Sequence, residues 1–270
     1  MAKPTHPTFD GHGLGALRQH PDPRDRLYSR YLEEDEHDAK KLRNALPESA
    51  MVEADQKVPI FDQGNLGSCT ANEGVAHYMI LQAVEGKPVA ALSRLQVYRN
   101  ARMLLSKSYA NVDSGATGRA VASTLRNDGA CLEKLWRYTI SKFTQEPPER
   151  CDADALNHQL IQYLAIRSQR SDSLDLIKTS LAAGYPVGFS FDVYSNFRPD
   201  SAGLIPMPKG TVEGGHRMML VGYEKQPSGE YFFTGRNSWG VPWGDGGRCL
   251  FHQDHVYQFM SDLWTYRSVE

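Results

Sequence analysis

The chain has 270 residues, of which 40% are hydrophobic and 23% charged, an ordinary globular composition that supports one large domain or two halves sharing an interface. Its formal net charge of −2 provides no electrostatic attraction for nucleic acid or for an anionic membrane surface. No stretch approaches the roughly 18 apolar residues of a membrane span, and the first residues lack the apolar core of a signal peptide, so a cytoplasmic location is expected.

The first 45 residues form a polar, charge-dense lead whose composition is typical of disorder. Residues 32–46 could make a short helix, since acids come early and bases late in this stretch. We interpret the acidic cluster at residues 33–36 as a solvated face. A G-x-G-x-G pattern at Gly11, Gly13 and Gly15 lacks a preceding strand, so it is a very weak dinucleotide signal.

From Leu46 to about residue 150 the apolar periodicity is helical. One predicted helix follows Cys69 and stops at Gly86. A second starts at Ser93 as N-cap, and a third runs through residues 118–129.

The last 120 residues contain one more helix, at residues 172–184, and are otherwise dominated by short runs rich in Val, Phe and Tyr between Gly and Pro turns. We read strands in the runs VGFSFDV, HRMMLVGYE, EYFFTGRNS, GRCLF and DLWTYR. Helices first and strands second predict an α+β chain with two lobes, a helical lobe at about 46–150 and a β lobe at about 151–270.

The four cysteines are scattered and include no C-x-x-C pair. Zinc sites use closely spaced ligand pairs, so we expect no metal. Sparse cysteine usage also fits a reducing compartment better than a disulfide scaffold. Cys131, Cys151 and Cys249 are interpreted as structural residues.

Cys69 lies in the stretch DQGNLGSCTANEG, where a loop turns into a helix. The alternatives are core packing, since free cysteine is often buried, and nucleophilic catalysis, since the helix N-terminus favours a thiolate. A catalytic thiol needs a base from far off in the sequence. His216 in GGHRMMLVGYE and Asn237 in GRNSWGVPWGDGG, each on a predicted strand or at its end, are the candidate base and orienting group.

Together these segments resemble the papain-like cysteine proteases. Gln63, Gly64 and Cys69 match the family pattern Q-G-x(4)-C, Gly215 and His216 precede an apolar run that ends in V-G-Y, and residues 237–244 match N-S-W-G-x-x-W-G without a gap. LPES at 46–49 resembles the start of the mature family domain, so the likeness spans roughly residues 46–270.

The sequence also departs from the family pattern. The usual Trp after the nucleophile is Thr70, and the usual half-cystine three positions before it is Leu66, which fits an intracellular or bacterial origin. The forms LGSCTANE, DSGA, LWRYT and AGYPV resemble the bacterial branch of the family.

The resemblance implies a papain-like two-lobed fold, with the active site in the cleft between a helical lobe and an antiparallel, barrel-like β lobe. It implies a thiolate–imidazolium pair of Cys69 and His216, with Asn237 holding the imidazole. Gln63 and the Cys69 backbone N–H would bind the oxyanion. The remaining candidates, for substrate binding or for shielding the imidazole, are Gly67, Ser68, Gly115, Gly215 and Trp239.

The implied activity is endopeptidase cleavage of peptides or proteins through an acyl-enzyme, without a metal or organic cofactor, by a monomer. The first 45 residues would then be a pro-segment or regulatory extension of a zymogen, too short for the long helical propeptide of plant and lysosomal members. Open alternatives are another Cys hydrolase on the same fold (amidase, aminopeptidase or deubiquitinase-like) and a catalytically silent binding module. Gly115 could equally be a simple turn glycine, and Gln63 a surface loop residue.

Overall fold

The structure, a computed structural model, describes residues 6–34 and 46–269. Helices dominate the first half of the described chain and an antiparallel sheet dominates the second, which confirms the predicted α+β class. Among these residues no helix combines the length and apolarity needed to cross a membrane.

The described helices begin and end close to the predicted signals. Ser93 accepts a hydrogen bond from the Gln96 N–H at the start of its helix, and Gly86, at φ +69°, follows the helix that Cys69 begins. In chain order they are α1 (Tyr28–Glu34), α2 (Cys69–Val84), α3 (Arg94–Leu105), α4 (Gly118–Asn127), α5 (Glu149–Ala155), α6 (Ser173–Ala182) and α7 (Gln253–Phe259), with 3₁₀ turns at Glu53–Lys57, Lys107–Asn111 and Ile140–Lys142.

Two sheets are present in the described chain, and all five predicted strand runs lie in the larger one. The strands are β1 (Thr8–Phe9), β2 (His12–Gly13), β3 (Ser49–Met51), β4 (Leu160–Ile166), β5 (Val187–Tyr194), β6 (Val212–Lys225), β7 (Tyr231–Arg236), β8 (Arg248–His252) and β9 (Ser261–Val269). β1 and β2 form a small hairpin, and the larger sheet has the order β4-β9-β5-β6-β7-β8, antiparallel throughout.

Helix α2 lies at the centre of the molecule. The sequence predicts a broad apolar face on this helix, but residues 69–83 are all buried. α2 contacts β6 and β9 of the sheet and the helices α3 and α4. Its polar side chains, among them Glu73 and His77, are therefore also buried and need partners inside the protein.

Several elements carry too little signal for sequence analysis. β3 has three residues and lies in the part predicted as helical. It nevertheless pairs with the C-terminal end of β6, past the point where β5 begins opposite Leu220. β4, α5 and α7 are likewise absent from the predicted elements. Most of the helix predicted over 32–46, together with Asp35 and Glu36 of the acidic cluster, lies outside the described residues.

The N-terminal segment, residues 6–34, passes between the helical and sheet halves. After the β1–β2 hairpin it runs along the groove and continues to β4, where the Arg26 carbonyl accepts a hydrogen bond from the Ala165 N–H at 2.8 Å. Helix α1 then contacts β4, with Tyr28 and Leu32 buried. A lead whose composition is typical of disorder is thus ordered, in its described part, by contact with the body (residues 46–269).

Candidate active site

Cys69 begins α2 and its side chain is fully buried. Burial raises the pKa of the thiol to about 11, and backbone N–H groups of Gly15, Arg217 and Thr70 oppose that shift by facing the sulfur. Arg217 directly follows His216, so the β6 backbone beside the imidazole contacts the thiol. The structure therefore brings the predicted nucleophile and the predicted base into one site.

Gln63 lies before the nucleophile and is fully buried, which excludes the alternative of a surface loop residue. Its side-chain N–H₂ donates to the carbonyls of Gly13 at 2.8 Å and Leu66 at 2.9 Å. Its carbonyl oxygen accepts from the Ser238 hydroxyl at 2.8 Å. This bond fixes the amide so that its donors face the groove.

His216 lies in β6 and is held from one side by Asn237, which follows β7. His216 Nε2 donates to Asn237 Oδ1 at 2.8 Å, and the same oxygen accepts from the Ser238 N–H. Because Nε2 carries the proton, Nδ1 of the neutral ring is an acceptor. Nδ1 is buried and has no hydrogen-bond partner within residues 6–34 and 46–269, so it is available as a proton acceptor.

Trp239 covers this pair. Its ring lies 4.6 Å from the His216 ring, centroid to centroid, and is itself 2% exposed. The indole therefore excludes water from the hydrogen bond between His216 and Asn237.

In this arrangement the uncharged forms of both groups are favoured. Burial lowers the pKa of His216 to about 4, although its bond to Asn237 acts in the opposite direction; the charge of His12 lowers this pKa further. With the thiol pKa raised by the same burial, Cys69 carries its proton and His216 is neutral near pH 7. The thiolate–imidazolium pair implied by the sequence resemblance is not the favoured form while the site is covered.

The N-terminal segment supplies that cover. The Gly13 N–H donates to the Gly64 carbonyl at 3.1 Å, and the Ala16 N–H donates to the Gly215 carbonyl at 3.0 Å. His12 stacks on Trp239 with ring centroids 5.1 Å apart. The segment thus contacts the loop before Cys69, the strand of His216 and the indole at the same time.

Next to the thiol the segment pairs with the loop before α4. Ala116 donates its N–H to the Gly15 carbonyl at 3.0 Å and accepts from the Leu17 N–H at 2.9 Å, a parallel bridge. Gly115, at φ +74°, passes so close that a Cβ there would lie 2.2 Å from the Gly15 carbonyl oxygen. At Gly115, a predicted substrate-binding residue, the backbones of the loop and the segment thus come close together. The hydrogen bonds between them are made by the next residue, Ala116.

The weak glycine pattern of the sequence acquires a role here. A Cβ at Gly15 would lie 1.9 Å from the Gly67 carbonyl oxygen, and one at Gly13 would lie 2.5 Å from the Leu66 carbonyl carbon. Only glycine allows the segment to approach the loop before Cys69 this closely. Sequence analysis found these residues but had no basis for placing them against that loop.

The other predicted residues have mixed surroundings. Gly67 donates its N–H to the Asp113 carboxylate at 3.2 Å, and the Ser68 hydroxyl bonds to the Tyr138 hydroxyl at 2.5 Å. Gly215 offers its carbonyl to the segment, as described above. Cys131, Cys151 and Cys249 are buried and free, with no disulfide, which agrees with their structural interpretation.

A charged cluster behind the site was not predicted. The side chains of Arg217, Glu73 and Asp262 are buried and form ion pairs across three elements. These residues are up to 189 positions apart, so sequence analysis cannot group them. The available signal is Arg217, a charged residue directly after a candidate catalytic histidine. Within the described chain no group of three or more His, Cys, Asp or Glu side chains is arranged to hold a metal ion.

The described site thus combines a thiol at a helix N-terminus, an imidazole held by an amide and a buried glutamine amide, as the sequence resemblance implies. The comparisons with known proteins agree, because a profile of papain family cysteine proteases matches residues 46–262. The chain belongs to the papain family and is a papain-like cysteine peptidase.

Individual relatives support the assignment. The chain is 31% identical over 233 residues to an uncharacterized peptidase C1-like protein of Acanthamoeba polyphaga mimivirus, covering 81% of this chain and 73% of that protein. It is 25% identical over 193 residues to ananain of Ananas comosus, which covers 72% of this chain but only 52% of ananain.

Among solved structures, xylellain, a cysteine protease from Xylella fastidiosa, superposes with a TM-score of 0.82. The two chains are 29% identical, and the match covers 96% of this chain and 97% of xylellain. The motifs LGSCTANE, DSGA, LWRYT and AGYPV also resemble xylellain in particular, and the comparison confirms that likeness. The papain-like two-lobed fold predicted from the sequence is thereby confirmed.

Proposed function

We propose that this chain is a latent cysteine endopeptidase, in which Cys69 attacks the substrate, His216 transfers protons and the N-terminal segment holds the site closed. One observation carries the proposal. The Gln63 amide, the expected oxyanion donor, already binds a peptide carbonyl, that of Gly13, while Gly15 covers the thiol. The groups that would bind a substrate peptide are occupied by a peptide of the same chain.

The geometry supports the following reaction. His216 Nδ1 takes the proton from the Cys69 thiol, and the sulfur adds to the carbonyl carbon of the substrate. The resulting oxyanion accepts from the Gln63 N–H₂ and the Cys69 N–H. The imidazolium then gives its proton to the departing amine, which leaves an acyl-enzyme. His216 next takes a proton from water as the water oxygen adds to the acyl carbon. The carbon–sulfur bond then breaks, the acid product leaves, and the imidazolium returns its proton to the sulfur.

Asn237 and Trp239 keep the base ready for these steps. The bond from Nε2 to Asn237 Oδ1 holds the tautomer in which Nδ1 is the acceptor. The buried indole keeps water from competing for that bond.

The N-terminal segment contacts both the thiol and the expected oxyanion donor. The thiol faces the N–H of Gly15, whereas the carbonyl on Gln63 belongs to Gly13. Two successive peptide groups of the segment, Gly13–Leu14 and Leu14–Gly15, therefore occupy the positions beside Gln63 and the sulfur. The segment acts as an inhibitor in this arrangement.

The path of the segment favours endopeptidase over exopeptidase action. His12 lies on the Trp239 side of Cys69, and Leu17 lies on the Ala116 side. The cleft thus accommodates a continuous chain on both sides of the thiol. An exopeptidase needs one of these sides closed.

The test uses the full chain with the segment displaced. In the double variant Gly13→Val and Gly15→Val, called the opened chain below, side chains would overlap the backbone of Leu66 and Gly67, so we expect the segment to leave the groove. A thiol-directed epoxide should then label Cys69 at least ten times faster than in the parent chain, and peptides should be cleaved at internal bonds. The matched control is Cys69→Ala in the opened chain.

Other outcomes would favour the rival functions. Cleavage confined to chain termini, to simple amides or to a ubiquitin-like tag would replace the endopeptidase by another Cys hydrolase. Neither labelling nor cleavage in a folded opened chain would support a silent binding module. Equal rates in the parent and opened chains would contradict the inhibitory role of the segment.

A further inference from the structure

Arg217 is a fully buried arginine directly after the candidate catalytic histidine. Its Nε donates to Glu73 Oε2 at 2.6 Å. Its Nη1 donates to the Ser190 hydroxyl at 3.1 Å and to the backbone carbonyl of Asp262 at 3.0 Å, and pairs with Asp262 Oδ2 at 3.2 Å. A buried ion pair adds little stability compared with an apolar pair of similar size, so its presence beside the site needs another explanation.

The backbone is shaped to hold the guanidinium. A Cβ at Gly118 would lie 2.5 Å from Arg217 Nη1, and a Cβ at Gly188 would lie 2.6 Å from Nη2. Asp262 has a left-handed backbone at φ +52°, which is uncommon for residues other than glycine, and it accepts from the Gly118 N–H at 3.1 Å. Two glycines and one strained residue thus surround this side chain.

The ion pair connects the two elements that carry the reacting groups. Glu73 lies one turn after Cys69 on α2, and Arg217 lies one residue after His216 on β6. The contact between Glu73 and Arg217 therefore fixes the helix of the thiol to the strand of the imidazole. It does so independently of any bond between the thiol and the imidazole themselves.

We infer that Arg217 is a positioning residue of the peptidase reaction: its ion pair with Glu73 sets the placement of the thiol against the imidazole, and its positive charge favours the thiolate. This inference rests on the proposed function of Cys69 and His216. Arg217 touches neither substrate nor scissile bond in the proposed reaction, so it acts through the catalytic pair.

The charges of Arg217 and Glu73 should shift the pKa of the Cys69 thiol in opposite directions. The charge of Arg217 lowers the pKa of the Cys69 thiol, against the larger effect of burial. Glu73 carries the opposite charge four residues after the thiol, so its removal should act in the opposite direction to removal of Arg217. The titratable and charged groups packed around this cluster are Glu73 and His77 on α2, His216 on β6, Asp262 and Tyr266 on β9, and His12 in the N-terminal segment.

The experiment measures the apparent pKa of Cys69 in the opened chain from the pH dependence of its alkylation by iodoacetamide, with the modified residue identified by mass spectrometry. Glu73→Gln should lower this pKa and Arg217→Met should raise it, each by about one unit. In the double variant Glu73→Gln with Arg217→Met, kcat for a peptide should fall at least about tenfold at the optimum of the pH profile. KM should change less than about threefold, since a positioning residue acts on the transition state.

The matched control is Arg102→Met. Arg102 is also fully buried, and its guanidinium bonds to backbone carbonyls of Tyr109 and Phe143 in the helical half. This variant should lower thermal stability without moving the thiol pKa.

Two results would overturn the inference. One is a shift of the thiol pKa in the same direction in Glu73→Gln and Arg217→Met, as a general loosening of the structure would produce. The other is an unchanged kcat in the double variant. If Arg217→Met alone does not fold, Glu73→Gln and the neutral double variant still decide the question. An opened chain that cleaves no peptide would contradict the proposed function instead, and the alkylation measurement would still test the charge effect.

Discussion

The N-terminal segment and the body it covers are held by different interactions. The body surrounds α2, whose residues 69–83 are all buried, with apolar side chains from helices and sheet. The segment contributes only four of the buried hydrophobic residues of the described chain, Phe9, Leu14, Tyr28 and Leu32. Across the groove it adds backbone hydrogen bonds, such as those from Ala16 to Gly215 and from Leu17 to Ala116. Each such bond contributes only about 1 kcal/mol net. We therefore expect the segment to leave its groove at far lower free-energy cost than the body unfolds.

The two regions also have different proposed roles, one in the reaction and one in its regulation. The body carries the candidate reacting groups Cys69 and His216, and in the proposed function the segment controls whether water and substrate reach them. The predictions below test the two regions separately.

The largest expected effect is loss of the nucleophile from the body. Cys69→Ala in the opened chain should reduce peptide cleavage by at least about 10⁴-fold, because no acyl-enzyme can form. Circular dichroism and the melting temperature should stay near those of the parent, since the substitution removes a single sulfur. Residual cleavage within tenfold of that of the opened chain with Cys69 intact would assign the nucleophile elsewhere.

The next effect concerns the amide that the segment and the oxyanion would share. Gln63→Ala in the opened chain should lower kcat by roughly 10² to 10³. In the parent chain the same change should speed labelling of Cys69, because the segment loses its bond from Gln63 to Gly13. If Gln63→Ala leaves kcat of the opened chain unchanged, Gln63 is not part of the mechanism.

An intermediate effect is acid sensitivity. Burial lowers the pKa of both His216 and His255 to about 4 in the folded chain, against about 6.5 when unfolded. The unfolded chain takes up these protons first, so the stability is fully present above about pH 6.5 and is lost as the pH falls towards 4. Each histidine should cost about 3 kcal/mol of unfolding free energy over that range, measured by urea titration.

The two histidines distinguish the regions. His255 is buried in the body against Phe251 and Phe259, so His255→Phe should abolish about half of the acid loss. His216 lies under the segment, so acid should also speed labelling of Cys69 before the body unfolds. If labelling and unfolding always coincide, the segment is not an independent unit.

The smallest effect concerns an exposed ion pair. Arg18 of the segment binds Asp192 of the body at 2.7 Å, but 84% of the Arg18 side chain is exposed. Such pairs contribute at most about 1 kcal/mol, so Arg18→Ala should change the labelling rate of Cys69 less than about fivefold. Arg24 pairs with Asp22 inside the segment, and Arg24→Ala is the matched control that should leave the rate unchanged.

The body could be predicted from the sequence because its functional groups lie in short, dense motifs. Gln63 and Cys69 are six residues apart, and Asn237 lies within a ten-residue run of aromatic residues and glycines. The strands and helices around these residues are predicted by their apolar periodicity and by their capping residues. The family resemblance and the α+β class follow from those local signals.

The segment and the charged cluster could not be predicted in the same way. Gly15 contacts Gly67, and Arg217 contacts Glu73, at separations of 52 and 144 residues. Neither contact has a periodic or motif signal, and the composition of the lead favours disorder. Its order comes from surfaces that exist only once the body has folded.

The contact between Arg26 and Ala165 has a consequence for the released form of the chain. β4 ends one side of the larger sheet, and the segment occupies part of its outward-facing backbone. Departure of the whole segment would leave this outer strand ready to pair with another chain. Departure of the segment would then lead both to activation and to self-association of the chain.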